Sequence, residues 1–308
     1  MKNDVFITGT SCYFPNKPVS NEDMEDFLGL ITGKHSRVKP VILKQNGIKQ
    51  RYYALTKEQK ITHTNAEMAV NSILQLLKNS DISNSEIELL SCATSSPDQM
   101  LPSHASMVHG LLKNKPLEIF SASGICLSCL QAFKTAFWGV LSGEKRNAIC
   151  STSELTSATL LSKNYDIEYE KCADLGVQPY MALEKDFLRF MLSDGASAVL
   201  LQNNPGNGKA LHVEWVEMTS YANELPTCMY MGAERKENGE LKSWKSFNNL
   251  ERTEQSLFVV KQDVKLLGAH AVPYWAKHIK YCLEKHNVAP ESISYVLPHV
   301  SSMFFYDK

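Results

Sequence analysis

Segments with the pattern of β-strands alternate with segments with the pattern of helices from Val5 to Leu201, and this order constrains the fold more than any other feature of the chain. Apolar runs predict strands at 5–8, 88–93, 117–120, 147–151, 189–192 and 196–201. Helical spacing predicts helices at 21–29, 64–77, 103–112 and 126–141. Because parallel strands need crossovers that are usually helical, the order predicts an α/β protein with parallel sheets covered by helices.

The same alternation begins again after the polar linker at 203–208. The pattern there predicts a strand at 211–218, a long helix at 255–286 and a strand at 293–297. We therefore predict an N-terminal half at residues 1–204 and a C-terminal half at 205–308. Residues 156–186 interrupt the alternation, and we interpret them as an excursion that forms a lid or a dimer contact. Residues 30–51 read as a surface loop.

The composition argues against several classes of protein. With 308 residues, 44% of them hydrophobic and 21% charged, the chain has the composition of a folded globular protein. Its formal net charge is −1 and it has no dense Lys/Arg tract, which argues against nucleic-acid and membrane-surface partners. Neither a signal-peptide pattern nor an apolar run of about 18 residues occurs, so we expect a cytoplasmic protein.

Cys126 is the first candidate for a catalytic residue. It follows a predicted strand and a turn at Gly124, and it lies where the next predicted helix begins. Small residues at such a turn let an acyl group approach the backbone closely. Because the N–H groups and the dipole at a helix start stabilise negative charge, we expect a lowered pKa for this thiol and a thiolate that can attack a thioester.

Other interpretations of Cys126 stay open. Most free cysteines are packing residues, and the eight cysteines of this chain are scattered as free thiols are. Cys126 and Cys129 also form a C-x-x-C sequence, as redox pairs and half zinc sites do. No second pair and no histidine cluster at ligand spacing accompanies them, so we predict no metal. Cys129 is interpreted as a packing residue or as a resolving thiol.

His299 is the second candidate. It follows the predicted strand at 293–297, and the reactive groups of α/β proteins lie at the carboxyl ends of strands. A histidine in such a position is by itself more often structural. Its weight as a candidate comes from its combination with Cys126.

Several motifs, in a fixed order, resemble those of the β-ketoacyl-acyl-carrier-protein synthase III enzymes of the thiolase superfamily. The Cys126 segment, with the later Gly143 and Ser151-Thr-Ser-Glu154, resembles the nucleophile region of that family. The other landmarks are Gly47-Ile-Lys-Gln-Arg51, Pro102-Ser103, Leu192-Ser-Asp-Gly195 and Leu297-Pro-His299. The segment from Ser95 to His104 is similar to that of the ketosynthases of dialkylresorcinol and flexirubin-type pathways.

The resemblance implies a thiolase-like fold, with two similar βαβαβ-type halves in a layered α-β-α-β-α arrangement. It implies a homodimeric ketosynthase without a cofactor, which takes an acyl group from an acyl-carrier-protein or coenzyme A thioester onto Cys126. An oxyanion hole that includes the Cys126 N–H would hold the tetrahedral intermediate. His299 would stabilise the oxygen of the second substrate in a Claisen condensation, in fatty-acid or dialkylresorcinol-type biosynthesis.

Two features depart from the family pattern. The family's catalytic asparagine lies well beyond its histidine, whereas this sequence stops at Lys308, so we expect the C-terminal part of the second half to be missing. Gln45 stands where members that prime from coenzyme A carry an arginine, which favours carrier-protein substrates.

A basic cluster would either dock an acidic carrier protein or stay solvated, and it comprises Lys34, Arg37, Lys39 and Lys44.

Three alternatives to a ketosynthase remain. The chain could be a non-catalytic thiolase-fold subunit that pairs with an active ketosynthase, which the missing C-terminal segment favours and the presence of Cys126 and His299 opposes. It could be a hydrolase or acyltransferase that uses Cys126, in which case the product gains no carbon atoms. A thioredoxin-like role for Cys126 and Cys129 is the weakest alternative, since both lie in an apolar helical pattern.

Overall fold

The computed structural model describes residues 3–168, 170 and 186–306. The strands are β1 (Phe6–Tyr13), β2 (Val19–Ser20), β3 (Gln50–Arg51), β4 (Leu89–Thr94), β5 (Glu118–Ser123), β6 (Asn147–Glu154), β7 (Gly195–Gln202), β8 (Leu211–His212), β9 (Met229–Tyr230), β10 (Ala233–Arg235), β11 (Leu241–Ser243) and β12 (Lys261–Gln262). The α-helices with described bounds are α1 (Met24–Leu28), α2 (Lys39–Asn46), α3 (Asn65–Lys78), α4 (His104–Leu112), α5 (Ser128–Leu141), α6 (Asn249–Glu254) and α7 (Val264–Lys285).

The chain divides into two compact units, each assembled from three segments. Unit 1 comprises Met1–Val19, Arg51–Ala158 and Ser193–Met218. Unit 2 comprises Ser20–Gln50, Thr159–Leu192 and Thr219–Lys308. The two units are defined by their compactness. Whether residues 1–204 and 205–308 form two similar halves is a different question, and that division stays a prediction.

A six-stranded mixed sheet forms the centre of unit 1, in the order β5-β4-β6-β7-β1-β8. Strand β4 pairs in parallel with β5 and with β6, as the strand-helix-strand order predicted. Strand β7, however, pairs antiparallel with both β6 and β1. The sheet is therefore mixed and not purely parallel, because β7 runs in the direction opposite to that of β4, β5 and β6.

Helices cover both faces of this sheet. On one face, α3 and α4 pack against β4 and β7 around Ile73 and Leu90. On the other face, α5 packs against the same sheet around Phe137 and Ala148. All residues of β4 are buried, as expected of a central strand that is covered on both sides. Unit 1 is thus a three-layer α/β structure, and the predicted α/β class is confirmed.

The caps of the two helices on the first face follow their sequence signals. Thr64 and Glu67 form a capping box at the start of α3, in which the Thr64 N–H donates to Glu67 Oε2 at 2.8 Å. The Ser103 hydroxyl accepts the Ser106 N–H at the start of α4. The predicted helices at 64–77 and 103–112 are therefore confirmed to within one residue.

In unit 2, the described strands form short antiparallel pairs, β10 with β11 and β9 with β12. The long helix α7 begins at Val264 and not at the predicted residue 255. Asp263 caps the helix by accepting the Leu266 N–H at 2.9 Å, and the residues immediately before it belong to β12. None of the described helices is long and apolar enough to cross a membrane.

Several predicted elements are wrong, each for a local reason. The loop predicted at 30–51 contains helix α2, with Pro40 in its first turn and Gly47 in the left-handed conformation at its end. Residues 186–189 are helical where a strand was predicted at 189–192, since the Phe190 N–H donates to the Asp186 carbonyl. About half of the excursion predicted at 156–186 lies outside the described residues, and the described part includes short 3₁₀ helices at Ser157–Leu160 and Ser162–Asn164.

Two strands predicted for the second half are shortened or absent. Of the strand predicted at 211–218, only β8 forms, and it pairs with β1 at the edge of the unit 1 sheet. The segment predicted as a strand at 293–297 has no regular secondary structure and pairs with no described strand. Leu297 is 94% exposed and Tyr295 is 86% exposed, so the apolar pattern of this segment is not buried.

Candidate active site

Cys126 lies in the short turn between β5 and α5, at the carboxyl end of the parallel strands of unit 1. Strand β5 ends at Ser123, and α5 begins at Ser128, two residues later than a helix that starts at Cys126. The turn is closed by the Ser128 N–H, which donates to the Ile125 carbonyl at 2.8 Å. Cys126 is exposed and its thiol is free, so a substrate could reach it.

The expected lowering of the Cys126 pKa is wrong. Burial of the thiol group raises its pKa, although the residue as a whole is exposed, and the negative charge of Glu154 raises it further. A hydrogen bond from its own backbone N–H acts in the opposite direction and is outweighed. Because α5 begins only at Ser128, the thiol does not belong to the first helical turn, where the sequence argument located it.

Cys129 lies one helical turn after Cys126. Its thiol donates to the Cys126 carbonyl at 2.9 Å, and its own carbonyl accepts from the Cys150 thiol at 3.9 Å. Burial raises the pKa of Cys129 and raises that of Cys150 to about 12. Over the described residues, no group of three His, Cys, Asp or Glu side chains is arranged to hold a metal ion.

Glu154, the last residue of β6, lies at the same edge of the sheet. Its Oε1 accepts the Ser95 N–H at 2.8 Å, and its Oε2 accepts the Ser96 hydroxyl at 2.6 Å and the Thr94 hydroxyl at 3.5 Å. Burial raises the pKa of this carboxyl, and these hydrogen bonds oppose the rise. The sequence argument quoted Glu154 only as part of a motif. The sequence signal that could have identified Glu154 as a site residue is a carboxylate at the end of a buried strand.

His104, at the start of α4, belongs to the opposite face of the sheet. Its Nε2 lies 3.0 Å from the Ser153 hydroxyl, and its Nδ1 has no hydrogen-bond partner among the described residues. Burial lowers the pKa of His104 to about 4, so the ring is neutral at pH 7. The sequence leaves helix packing and solvent exposure open for this histidine, and the structure shows that it is buried.

Asp194, in the Leu192-Ser-Asp-Gly195 motif, is a structural carboxylate. It accepts the Ala54 N–H at 2.7 Å and the Ser157 N–H at 2.8 Å, and it also binds the hydroxyls of Ser157 and Thr156. Burial raises its pKa. The motif therefore joins three separate segments of unit 1 beside the start of β7.

His299 lies in unit 2, whereas Cys126 lies in unit 1. The residue is exposed and follows the segment at 293–297. It is not at the end of a strand, which is where the sequence argument located it. No hydrogen bond joins its ring to another described residue.

Comparison with known proteins gives the chain's relatives. No protein-family model matches the sequence. The chain is 28% identical over 206 residues to a β-ketoacyl-[acyl-carrier-protein] synthase III of Clostridium acetobutylicum, a match that covers 67% of this chain and 53% of that relative. It is 23% identical over 298 residues to the synthase III of Rhodobacter capsulatus, with 96% of this chain and 77% of the relative covered. The chain thus matches about half the length of the first of these relatives.

Solved structures share the fold. A tetronic acid condensing enzyme, AbyA1, matches with a TM-score of 0.70 and 19% identity over 96% of this chain and 78% of its own. The 3-oxoacyl-[acyl-carrier-protein] synthase III of Aquifex aeolicus matches with a TM-score of 0.60 and 21% identity over 97% of this chain and 77% of its own. The fold is therefore the α/β fold of these condensing enzymes. The resemblance to synthase III enzymes of the thiolase superfamily is confirmed.

Proposed function

We propose that the chain is a ketosynthase that forms a carbon–carbon bond by Claisen condensation. Cys126 accepts an acyl group from a thioester: the bond from its sulfur to the acyl carbon forms, the carrier thioester breaks, and the thiol proton leaves with the carrier sulfur. The backbone N–H of Cys126 belongs to the oxyanion hole that holds the tetrahedral intermediate. The proposal rests chiefly on one observation: Cys126, an exposed residue with a free thiol, lies in the turn between β5 and α5.

The second substrate would be bound to an acyl carrier protein. Its α-carbon, after loss of a proton or of CO2, would form the carbon–carbon bond to the acyl carbon while the bond from that carbon to the Cys126 sulfur breaks, and His299 would stabilise the oxygen of this second substrate. The similarity of 95–104 to dialkylresorcinol-type ketosynthases favours two acyl partners over a simple fatty-acid extension. The enzyme would work in the cytoplasm. Gln45, in place of an arginine, favours a carrier-protein donor over coenzyme A.

The basic cluster in unit 2 supports a carrier-protein partner in part. Lys34, Arg37 and Lys44 are exposed and available to acidic groups. Lys39 is committed to the protein itself, because its Nζ lies 3.1 Å from Glu25 Oε2. Acyl carrier proteins would therefore meet three exposed positive charges on and before α2, which guide association more than they add affinity.

We further propose a homodimer formed along strand β5. This strand is at the edge of the unit 1 sheet, and its second side pairs with no described strand. Exposed apolar side chains surround it, and they are Phe120, Leu127, Leu130 and Trp138. Unprotected strand edges with apolar surroundings are sites of association, and an isologous contact would extend the sheet through both copies.

The test is a condensation assay with acyl-carrier-protein thioesters, in which the products are identified by mass. A product with more carbon atoms than the donor acyl group, formed by the wild type and lost in Cys126→Ala, is the expected result. Cys12→Ala, which removes another exposed thiol of unit 1, is the matched control and should retain activity. Release of the free acid alone would contradict a ketosynthase and indicate a hydrolase.

A second candidate function is a non-catalytic partner subunit of an active ketosynthase. The observation that favours it is the exposed segment at 293–300, in which His299 has no described partner. An inactive chain that restores or alters product formation when mixed with an active ketosynthase would support this alternative.

A further inference from the structure

The side chains of β6 alternate between the two faces of the unit 1 sheet. Ala148 and Cys150 belong to the core that α5 covers, whereas Ile149 belongs to the core beneath α3 and α4. Because side chains along a strand alternate with a period of two residues, Glu154 belongs to the same face as Ala148 and Cys150. Glu154 is therefore on the α5 face of the sheet.

The direction of α5 brings Cys126 towards the end of β6 that carries Glu154. The Cys129 carbonyl meets the Cys150 thiol, while Gly139 packs against Leu89, the first residue of β4. Helix α5 thus runs from the carboxyl ends of the strands towards their amino ends. Cys126 precedes Cys129 and therefore lies nearer the carboxyl ends of the strands. Glu154 follows Cys150 along β6, so it lies towards the same ends.

Hydrogen bonds fix the Glu154 carboxylate at that position. Ser95 and Ser96 donate to its two oxygens, and the Ser96 hydroxyl also accepts the Leu155 N–H at 2.8 Å. The Asn65 amide group donates to the Thr94 hydroxyl and to the Ser96 carbonyl at 2.8 and 2.7 Å. The turn after β4 is therefore held by Asn65 on one side and by Glu154 on the other.

The titratable groups on the α5 face near this carboxylate are thiols. Cys126 and Cys129 come from the start of α5 and Cys150 from β6. On the other face, α4 contributes the neutral His104, and Asp98 is held by the N–H groups of α3. Burial is the largest cause of the raised pKa of Cys126 and Cys129, and the charge of Glu154 raises both pKa values further, in agreement with the geometry.

We propose that Glu154 is a positioning residue for the nucleophile: at the edge of the sheet that carries Cys126, it holds the Ser95–Ser96 turn and, by like-charge repulsion, keeps the resting thiol protonated. The inference rests on the proposed role of Cys126 as acyl acceptor. Repulsion acts on the thiolate and not on the neutral thioester or thiol. The resting site is therefore protected from unspecific electrophiles, and the acylated form carries no electrostatic cost.

The test measures the alkylation of Cys126 by iodoacetamide as a function of pH, followed by peptide mass. In Glu154→Gln, which keeps the shape and one acceptor oxygen but removes the charge, the pKa of Cys126 should fall, and Cys126 should react about tenfold faster near neutral pH. Cys12 is the internal reference and should react at an unchanged rate. An unchanged pH profile of Cys126 would overturn the proposal.

Two further measurements separate charge from structure. Ser96→Ala removes the two hydrogen bonds of the Ser96 hydroxyl but leaves the charge, so the Cys126 profile should stay within about twofold of the wild type. A shift as large as that of Glu154→Gln would mean that only the turn matters. If Glu154→Gln does not fold, Glu154→Ser is the second variant: it also removes the charge but leaves a hydroxyl group. It should accelerate Cys126 alkylation in the same direction, and an unchanged rate would overturn the proposal. Alkylation needs no substrate, so failure of the ketosynthase proposal would not alter this profile.

Discussion

Cys126 and His299 both follow an apolar stretch of sequence, yet their surroundings differ. Before Cys126, β5 pairs residue by residue with β4. At the same edge of the sheet, hydrogen bonds from Ser95 and Ser96 hold Glu154. Before His299, the segment at 293–297 pairs with no described strand and leaves Leu297 94% exposed. The difference teaches that an apolar run becomes a strand only where a neighbouring strand satisfies its backbone N–H and carbonyl groups.

The largest expected effect distinguishes two leucines from these regions. Leu90→Ala in β4 removes a fully buried side chain and should lower the free energy of unfolding by about 4 kcal/mol. The matched change Leu297→Ala removes an exposed side chain and should cost less than about 0.5 kcal/mol. Urea denaturation followed by circular dichroism measures both. Equal losses would mean that the segment at 293–297 is packed as a strand is.

The next effect concerns the pH dependence of unit 1. The pKa of His104 is about 4 in the folded protein against 6.5 unfolded, so the folded state binds fewer protons and loses stability as the pH falls from 6.5 to 4. Each pH unit in this range lowers the free energy of unfolding by about 1.4 kcal/mol, so the whole loss is about 3 kcal/mol. His104→Gln should remove this slope in denaturation curves between pH 7 and 4. A variant with the wild-type slope would contradict the buried, neutral histidine.

A smaller effect is expected at Asp194. Its replacement by alanine leaves the buried N–H groups of Ala54 and Ser157 without an acceptor, and we expect a loss of about 2 kcal/mol in the free energy of unfolding. The control is Asp81→Ala, at an exposed position of the same unit, which should be nearly neutral. If both variants unfold at the same urea concentration, Asp194 does not join the segments of unit 1.

Local signals in the sequence were sufficient to predict a helix or a strand where the signals lie within that one element. The capping box at Thr64 and the strand of buried residues before Thr94 are examples, and both elements form as predicted. Helix α2 was missed although Pro40 and Gly47 are ordinary start and stop signals, because its interior lacks a clear apolar face. The segment at 293–297 was predicted as a strand from its own pattern, without knowledge of a partner strand.

The candidate site divides in the same way. The sequence was sufficient to locate Cys126 between a strand and a helix. It could not give the sign of the shift in its pKa, which depends on burial and on Glu154, a residue remote in sequence. Contacts such as those of Glu154 with Ser95 and Ser96 join residues 58 or more positions apart, and no local pattern encodes them.

The most direct test of the central claim is the mass of the intact protein after exposure to acyl-carrier-protein and coenzyme A thioesters. We predict an increase equal to one acyl group, absent in Cys126→Ala and present in Cys12→Ala. Peptide mapping should locate the group on the Cys126 sulfur. No increase with any donor, in protein shown by circular dichroism to be folded, would contradict the role of Cys126 as the acyl acceptor.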